Sequence, residues 1–411
     1  MQTIQPNRCI KELELVIIGG GCSGLSLALA LCRHAENSDL IPRTLIIEPR
    51  PCYTNDRSWC YWEEANNKGG DLVKKEWQAW EFSSNSISYR QASKRTWRYN
   101  YVPAITFYNS AERDIFLNPK LQLLKGSRVA DVNPKGSHFE VVIEGCSVGN
   151  STEIQKVFAK QIVDTRIPDN VDVNSAVLKQ IFFGFEVVMN KPHGLPDVAR
   201  VMENMRVDGK GFMFDYVLPI DNNSILVEFT RFAEKSLSPE SLRKDALESL
   251  HRVCGSSGYL IVREEFGMIP MGLRGQFKPK DPRWVHTGLG AGAARPSTGY
   301  AFKRIQHWAD RCAKKILEGS NAHGFLPDHP LLMWMDKVFL RAIAKNPAIA
   351  PQLFLALARE VSTEGLLRFL TDKPTTRDLL SIMLALPKLA LFHSALAEIY
   401  HEIRTSNWSH A

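Results

Sequence analysis

Glu228 interrupts Ile225-Leu226-Val227 and Phe229, a run that would otherwise read as a smoothly packed strand. Period-two alternation puts it on the face of Leu226 and Thr230, opposite Val227 and Phe229. If that face lines an apolar pocket, desolvation disfavours the carboxylate, and a carboxyl that stays protonated at neutral pH can serve as a general acid. The competing reading is an acid on the wet face of a half-exposed strand. Glu186, set between Phe182-Phe183-Gly184-Phe185 and Val187-Val188, is a second acid–base candidate, and Asp215, beside Tyr216 in another apolar run, is a third. The sequence carries no Ser-His-Asp set, zinc-ligand spacing or P-loop.

Binding chemistry is concentrated near the start. The apolar stretch Leu15 to Ile18 runs into Gly19-x-Gly21-x-x-Gly24, a helical stretch follows from Leu25 to Leu31, and Leu45-Ile46-Ile47 ends at Glu48, twenty-four residues after Gly24. In a dinucleotide site Gly19 permits the tight turn, Gly21 lets the backbone approach a pyrophosphate, and Gly24 lets helix and strand pack closely. The helix N-terminus offers free N–H groups to the anion. Glu48 then accepts from ribose hydroxyls, and an acid there disfavours a 2′-phosphate, leaving FAD or NAD rather than NADP. A second glycine-rich segment follows Trp284-Val285-His286-Thr287 and precedes a helix through Ile316; Gly288, Gly290, Gly292 and Gly299 fall within twelve residues. It reads as a second backbone surface against a ligand, with a purely structural turn as the alternative. Asp164 closes the strand Gln161 to Arg166, expected to return to the nucleotide sheet, and joins the cofactor-binding candidates. In Asp56-Arg57-Ser58-Trp59-Cys60-Tyr61-Trp62-Glu63, Arg57 is placed to pair with a phosphate while Trp59 and Trp62 face an apolar ligand or flavin; a buried core cluster with a structural ion pair fits the pattern too.

The 411 residues exceed what one core usually holds, so two intimate domains with a helical appendage are expected. The expected division is 1–60 as the first part of a nucleotide-binding domain and 61–125 as a connecting, substrate-facing segment. Residues 126–180 return to the nucleotide domain, 181–275 form a substrate-binding sheet, 276–320 complete the nucleotide domain and 321–411 form a helical tail. Pro49 to Asn118 is rich in aromatics and poor in helical periodicity. Lys+Arg 51 against Asp+Glu 44 gives a net charge of +7, spread along the chain, with no basic run of the kind that binds nucleic acid. The eight cysteines lie scattered without Cys-x-x-Cys or metal spacing, which reads as reduced thiols in a cytoplasmic protein. Met1 to Lys11 lacks the apolar core of a signal peptide, and Leu379 to Phe392, broken by Pro387-Lys388, is too short to span a bilayer.

Taken in order, these segments resemble the flavin-dependent lycopene cyclases of the bacterial and plant β-cyclase type. The resemblance rests on the glycine motif, Asn55 to Trp62, Tyr216-Val217-Leu218-Pro219, Leu226-Val227-Glu228-Phe229-Thr230, Gly267-Met268-Ile269-Pro270-Met271-Gly272 and Ala294 to Tyr300, colinear over about residues 13–310. It implies an α/β fold, a glutathione-reductase-like FAD/NAD(P)-binding Rossmann-type domain with an inserted, α+β substrate-binding sheet domain and a C-terminal helical region. It also implies Glu228 as the catalytic acid, at the first acidic position of a Leu-Glu-acid-Thr motif. Phe229 replaces the second acid, so any help that neighbour gives is absent or supplied by another residue; Ser58 and Tyr61 stand where Thr and Phe are common. The implied reaction is a redox-neutral cyclisation of lycopene end groups to β-rings, with reduced FAD, NAD(P)H as reductant, and no metal. An insoluble substrate implies peripheral contact with the inner face of the cell membrane. The alternatives are an FAD-dependent monooxygenase acting on an apolar substrate, disfavoured because Gly290-Ala291-Gly292 lacks the usual Gly-Asp pair, and a carotenoid or lipid carrier that keeps the flavin fold without turnover, which has no reason to bury Glu228.

Overall fold

The structure is a computed structural model and describes residues 12–65, 70–93, 96–145, 154–273, 281–388, 391 and 394. Cys9, Cys146, Met1 to Lys11 and the end of the tail lie outside these residues.

The opening unit is β1 (Leu13–Ile18), α1 (Cys22–His34) and β2 (Thr44–Glu48). β1 and β2 are almost continuously apolar because both faces of a parallel sheet are covered. Next come β3 (Ser58–Glu64), β4 (Lys75–Trp77), β5 (Ala79–Ser84), β6 (Ile87–Ala92) and β7 (Trp97–Pro103), followed by α2 (Ala104–Phe116). This helix departs from the expectation for 49–118. It follows Pro103 without a side-chain cap, and its opening Ile105-Thr106 is β-branched, so the usual start signals are missing. Burial of Phe107, Tyr108, Ala111 and Ile115 against α1 and the first sheet holds it.

β8 (Leu121–Lys125), β9 (Ser127–Lys135), β10 (His138–Gly145) and β11 (Ile154–Asp164) complete most of that sheet, whose order is β8-β2-β1-β11-β10-β9. β11 lies parallel to β1, with Asp164 beside Ile18, as expected of a returning strand.

The second sheet follows: β12 (Leu178–Met189), β13 (Ala199–Asp208), β14 (Gly211–Pro219), β15 (Ser224–Ala233), then α3 (Pro239–Cys254) and β16 (Tyr259–Met271), ordered β16-β12-β15-β14-β13-β5-β6. Ser238 caps α3, its Oγ accepting from Ser241 N–H. The face of this sheet carrying Val227, Phe229, Phe183 and Phe185 packs under α3. The opposite face, with Leu226, Phe214 and Phe232, meets the helical tail. β15 is therefore buried on both sides, which explains why apolar residues occupy both of its faces and why Glu228, Thr230 and Arg231 are buried among them.

β17 (Trp284–His286) rejoins β11, and α4 (Phe302–Leu317) lays Phe302, Ile305, Trp308, Ala309 and Cys312 as one stripe beside α1. The tail comprises α5 (Pro330–Lys345), α6 (Ala350–Glu360), α7 (Thr363–Leu370) and α8 (Thr376–Ala385), the last held by a reciprocal Thr375/Asp378 capping box. A small sheet, β3-β7-β4, bridges the two larger ones.

Candidate active site

One continuous cavity of about 810 Å³ runs from Gly21, Cys22 and Ser23 at the start of α1, past Glu228, to Leu357, Leu366, Phe369 and Leu386 of the tail. Its first end is built from backbone. Gly19 has φ +96°, and a Cβ there would press within 2.1 Å of Thr165 Oγ1; a Cβ on Gly24 would lie 2.0 Å from Gly19 O. Gly21 is different, since a Cβ would meet nothing within 4 Å and would project into open space. Gly21 is also the N-cap residue and supplies no side-chain cap, so the first N–H groups of α1 are left for a ligand. Across from it, Gly288 and Gly290 lie against Thr165 and Ile167 and line the cavity, whereas a Cβ on Gly292 would point into open space. Gln180 Oε1, also in the wall, is buried without a partner among the described residues. A bare helix terminus facing a second glycine loop fits the diphosphate of a dinucleotide.

The other nucleotide candidates have more local duties. Glu48 is buried; its Oε2 accepts from Gly20 N–H at 2.8 Å, and its Oε1 accepts from Arg50 N–H and Nε at 2.9 and 2.7 Å. Glu48 itself does not line the cavity; Arg50, which it holds, does, and carries no motif that marks it in the sequence. Arg50 also pairs with Asp56 at 3.0 Å. Asp164 is fully buried and engaged by Arg166 through backbone N–H, Nε and Nη2 at 2.7–3.0 Å, and it does not line the cavity. Arg57 lines the cavity and donates to the carbonyls of Asp56 and Phe266 at 2.7 and 3.0 Å. Trp59 stacks on Phe302, and Trp62 packs against Tyr99, Trp80 and Tyr300; both reach the cavity wall.

Glu228 is in the middle of the cavity, 9% exposed, on the face expected from alternation. Across the sheet its neighbours are Tyr216 on β14 and Gly184 on β12, and the next residue beyond Gly184 is Glu265 on β16. With no side chain at 184, the carboxyls of Glu228 and Glu265 lie side by side, close enough to share a hydrogen bond when one of them carries a proton. Burial pushes the Glu228 carboxyl well above the usual carboxylate range, Glu265 adds to the rise, and Arg263 opposes it. The hydroxyl of Tyr216 lies 2.7 Å from that of Tyr99. Glu265 escaped the sequence reading, although an isolated glycine inside a strand, Gly184, marks a close approach of this kind.

The two lesser acids have partners elsewhere. Glu186 pairs with Arg263 at 2.9 Å and Lys74 at 3.6 Å and faces a second, more open cavity. Asp215 points toward α3, where Asn204, Arg206, Ser249 and Arg252 surround it, so its burial serves packing of that helix. Phe229 also points toward α3, between the guanidinium groups of Arg206 and Arg231. The motif's departure at this position therefore lies away from the cavity wall.

The glycine cradle and the parallel strands β8-β2-β1-β11-β17 of the first, mixed sheet define an α/β protein with an FAD-binding-type Rossmann domain. The fold is similar to that of a geranylgeranyl bacteriochlorophyll reductase-like protein from Thermoplasma acidophilum, with a TM-score of 0.59, 13% identity, and coverage of 95% of this chain and 99% of that one. Residues 14–396 match the family described as lycopene cyclase protein, and the chain belongs to that family. It is 24% identical over 322 residues to the lycopene beta-cyclase of Pseudescherichia vulneris, covering 75% of each chain. It is 23% identical over 394 residues to that of Pantoea ananas, covering 91% of this chain and 94% of the relative.

Proposed function

We propose that the protein closes β-rings on the acyclic ends of lycopene, an isomerisation initiated by Glu228. The observation that carries this reading is Glu228 itself, a buried acid in the wall of a largely apolar cavity that begins at a dinucleotide cradle. The other two acids of that wall, Asp56 and Asp336, are paired with Arg50 and Arg295, whereas Glu228 has no salt bridge among the described residues. The Glu228 O–H bond breaks as a C–H bond forms on the terminal alkene, and the tertiary cation is captured by the C5–C6 double bond. Loss of a ring proton restores neutrality, so no atom or electron is gained overall. Phe182, Phe214, Phe232 and Trp62 line the wall, exclude water that would trap the cation, and present π faces to it. Gly19, Gly21, Gly24, Gly288 and Gly290 would hold FAD, with Glu48 and Arg50 securing the first turn. When bound there in its reduced form, with NAD(P)H as the proposed reductant, FAD would contribute negative charge that stabilises the cation.

Expression in lycopene-accumulating cells tests the activity. Ringed carotenes of unchanged elemental composition are the expected products. Recovery of acyclic pigment alone would overturn the reading, and oxygenated pigment would point to the monooxygenase alternative. Cofactor binding has its own test. Gly21→Val adds bulk only where nothing of the protein lies, so it should purify folded but without flavin absorbance; Gly24→Val, whose Cβ collides with the Gly19 carbonyl, should fail to fold.

The substrate also requires a route from lipid. No helix among the described residues is long and apolar enough to cross a membrane. On α8, Leu380, Met383 and Leu384 form one exposed face, while Ile382, Met383 and Leu386 line the cavity, so the cavity approaches the surface at Met383. This face is proposed to dock on the cytoplasmic leaflet. Leu380→Glu combined with Leu384→Glu should lower co-flotation with liposomes by about tenfold or more, by loss of apolar burial. Ring formation from detergent-dispersed lycopene should persist.

A further inference from the structure

The cavity holding Glu228 is apolar, and once a hydrophobic chain fills it, water has little access to that carboxyl from the substrate side. On the other side is Glu265. It pairs with Arg263 at 2.8 Å, and Arg263 in turn holds Glu186 at 2.9 Å and Ser58 Oγ at 2.8 Å. Arg263, Glu186 and Glu265 all line the second cavity, which is more open than the first and is walled mainly by polar and charged side chains, Asn55 among them; Asp56 and Arg57 line both cavities. Glu228 lines only the first cavity and Glu265 only the second. The two acids thus meet across the sheet between an apolar chamber and a polar one, through the gap left at Gly184.

We infer that Glu265 is a positioning residue for ring closure: it accepts the Glu228 proton in a hydrogen bond, fixes its location, and links it to water in the polar cavity. This rests on the cyclisation reading above. The geometry supports it in two ways. Glu265 Oε1 is buried and, among the described residues, meets no N–H or other conventional donor, so a protonated Glu228 is the group that satisfies it. Gly184 is required for the contact, because a Cβ there would come within 2.6 Å of Glu228 Cγ and 3.3 Å of Glu265 Cγ.

The charged and titratable groups facing Glu228 are few. β16 contributes Glu265 and Arg263, β14 contributes Tyr216, β3 contributes Cys60, and β12 contributes only Gly184. Burial raises both Tyr216 and Cys60, so they remain neutral over the working range. Charge beside Glu228 therefore comes from the β16 pair. Two like carboxyls in contact favour retention of one proton between them. When Glu228 gives up its proton to the alkene, it becomes a carboxylate next to Glu265. A proton from water in the polar cavity can then pass to Glu265 and on to Glu228, whose acid form is restored while product still blocks the apolar side. The ring proton released at the end of cyclisation balances the one taken up.

Glu265→Gln and Glu265→Asp decide the matter. Flavin-loaded protein is given lycopene in liposomes under reducing conditions, and the rate of ring formation is followed against pH. In parallel, the infrared carbonyl band of the protonated carboxyl is titrated in substrate-free protein, assigned by its loss in Glu228→Gln. In Glu265→Gln the alkaline midpoint of both rate and band should move to lower pH by about one unit or more, since a like charge is lost and Arg263 is left unopposed. Glu265→Asp, which keeps the charge, should stay close to wild type. An unmoved midpoint in Glu265→Gln would overturn the inference. So would equal rate losses in both variants with the band in place, the mark of simple packing damage. The band needs no turnover, so it judges Glu265 even if wild-type protein forms no ring, an outcome that instead counts against the cyclisation reading.

Discussion

Glu228→Gln should fold, bind flavin and form rings about 10²–10⁴ times more slowly than wild type, the usual cost of removing a positioned general acid. The substitution is nearly isosteric, and its amide can still donate to Glu265, so the cavity wall keeps its shape. What disappears is a proton acidic enough to protonate an alkene. Pigment chromatography and the flavin spectrum of the purified variant measure the two properties separately; undiminished ring formation would remove Glu228 from the mechanism. The pH dependence has a definite sign. Burial raises the Glu228 carboxyl well above its ordinary range, so the active, protonated form persists through neutral pH and is lost as pH rises through the raised value. The same shift bears on stability. The folded state favours the proton more than the unfolded chain does, so this contribution is complete below the ordinary carboxyl range and disappears as pH climbs through the folded value. Glu228→Gln should lack that alkaline decline.

A large loss of stability is expected from Asp336→Ala. Arg295, in the second glycine-rich segment, is 1% exposed and forms a two-pronged pair with Asp336 of α5, both contacts at 3.1 Å. Ser297 Oγ donates to the same carboxylate at 2.7 Å, and the guanidinium also donates to the Phe369 carbonyl and lies over that residue's ring at 4.1 Å. This knot fastens the cofactor side of the molecule to the helices that roof the cavity. Removing the carboxylate leaves the buried cation only Asp372, 3.5 Å away and already shared with Arg304, at a cost of about 3 kcal/mol. Chemical denaturation should show it as a lower midpoint. Arg295→Met combined with Asp336→Ala should recover much of the loss, because replacing both charges leaves none uncompensated. A double variant as unstable as the single one would mean that shape, not charge, is what the knot provides.

Much of this was readable from local patterns. The first strand, glycine turn and helix announce themselves because each obeys a rule acting over a few residues. Alternation puts Glu228 on the face of Leu226 and Thr230, but only the packing of the tail helices shows that this face is covered. Asp215 and Glu186 looked similar in sequence, yet one is neutralised by Arg206 and Arg252, and the other by Arg263 and Lys74. Those partners are distant or nearby in sequence without pattern, so no periodicity signals them. Asp164 likewise ends its strand as expected, but Arg166, two residues on, takes up its carboxylate. Glu265 was hidden for a stronger reason. Its meeting with Glu228 needs the register of three strands and a missing side chain on the middle one, and that is tertiary information.

The two-sided burial of β15 has a further consequence for how this chain can change. Inserting or deleting one residue between the turn at Asn222-Asn223 and Glu228 would rotate the acid beneath α3 and bring a phenylalanine or valine into the chamber. Such a frameshift in the strand would silence the enzyme while every residue type survived. Strand length here should therefore tolerate less drift than the identity of residue 229, whose side chain never reaches the substrate's side of the sheet.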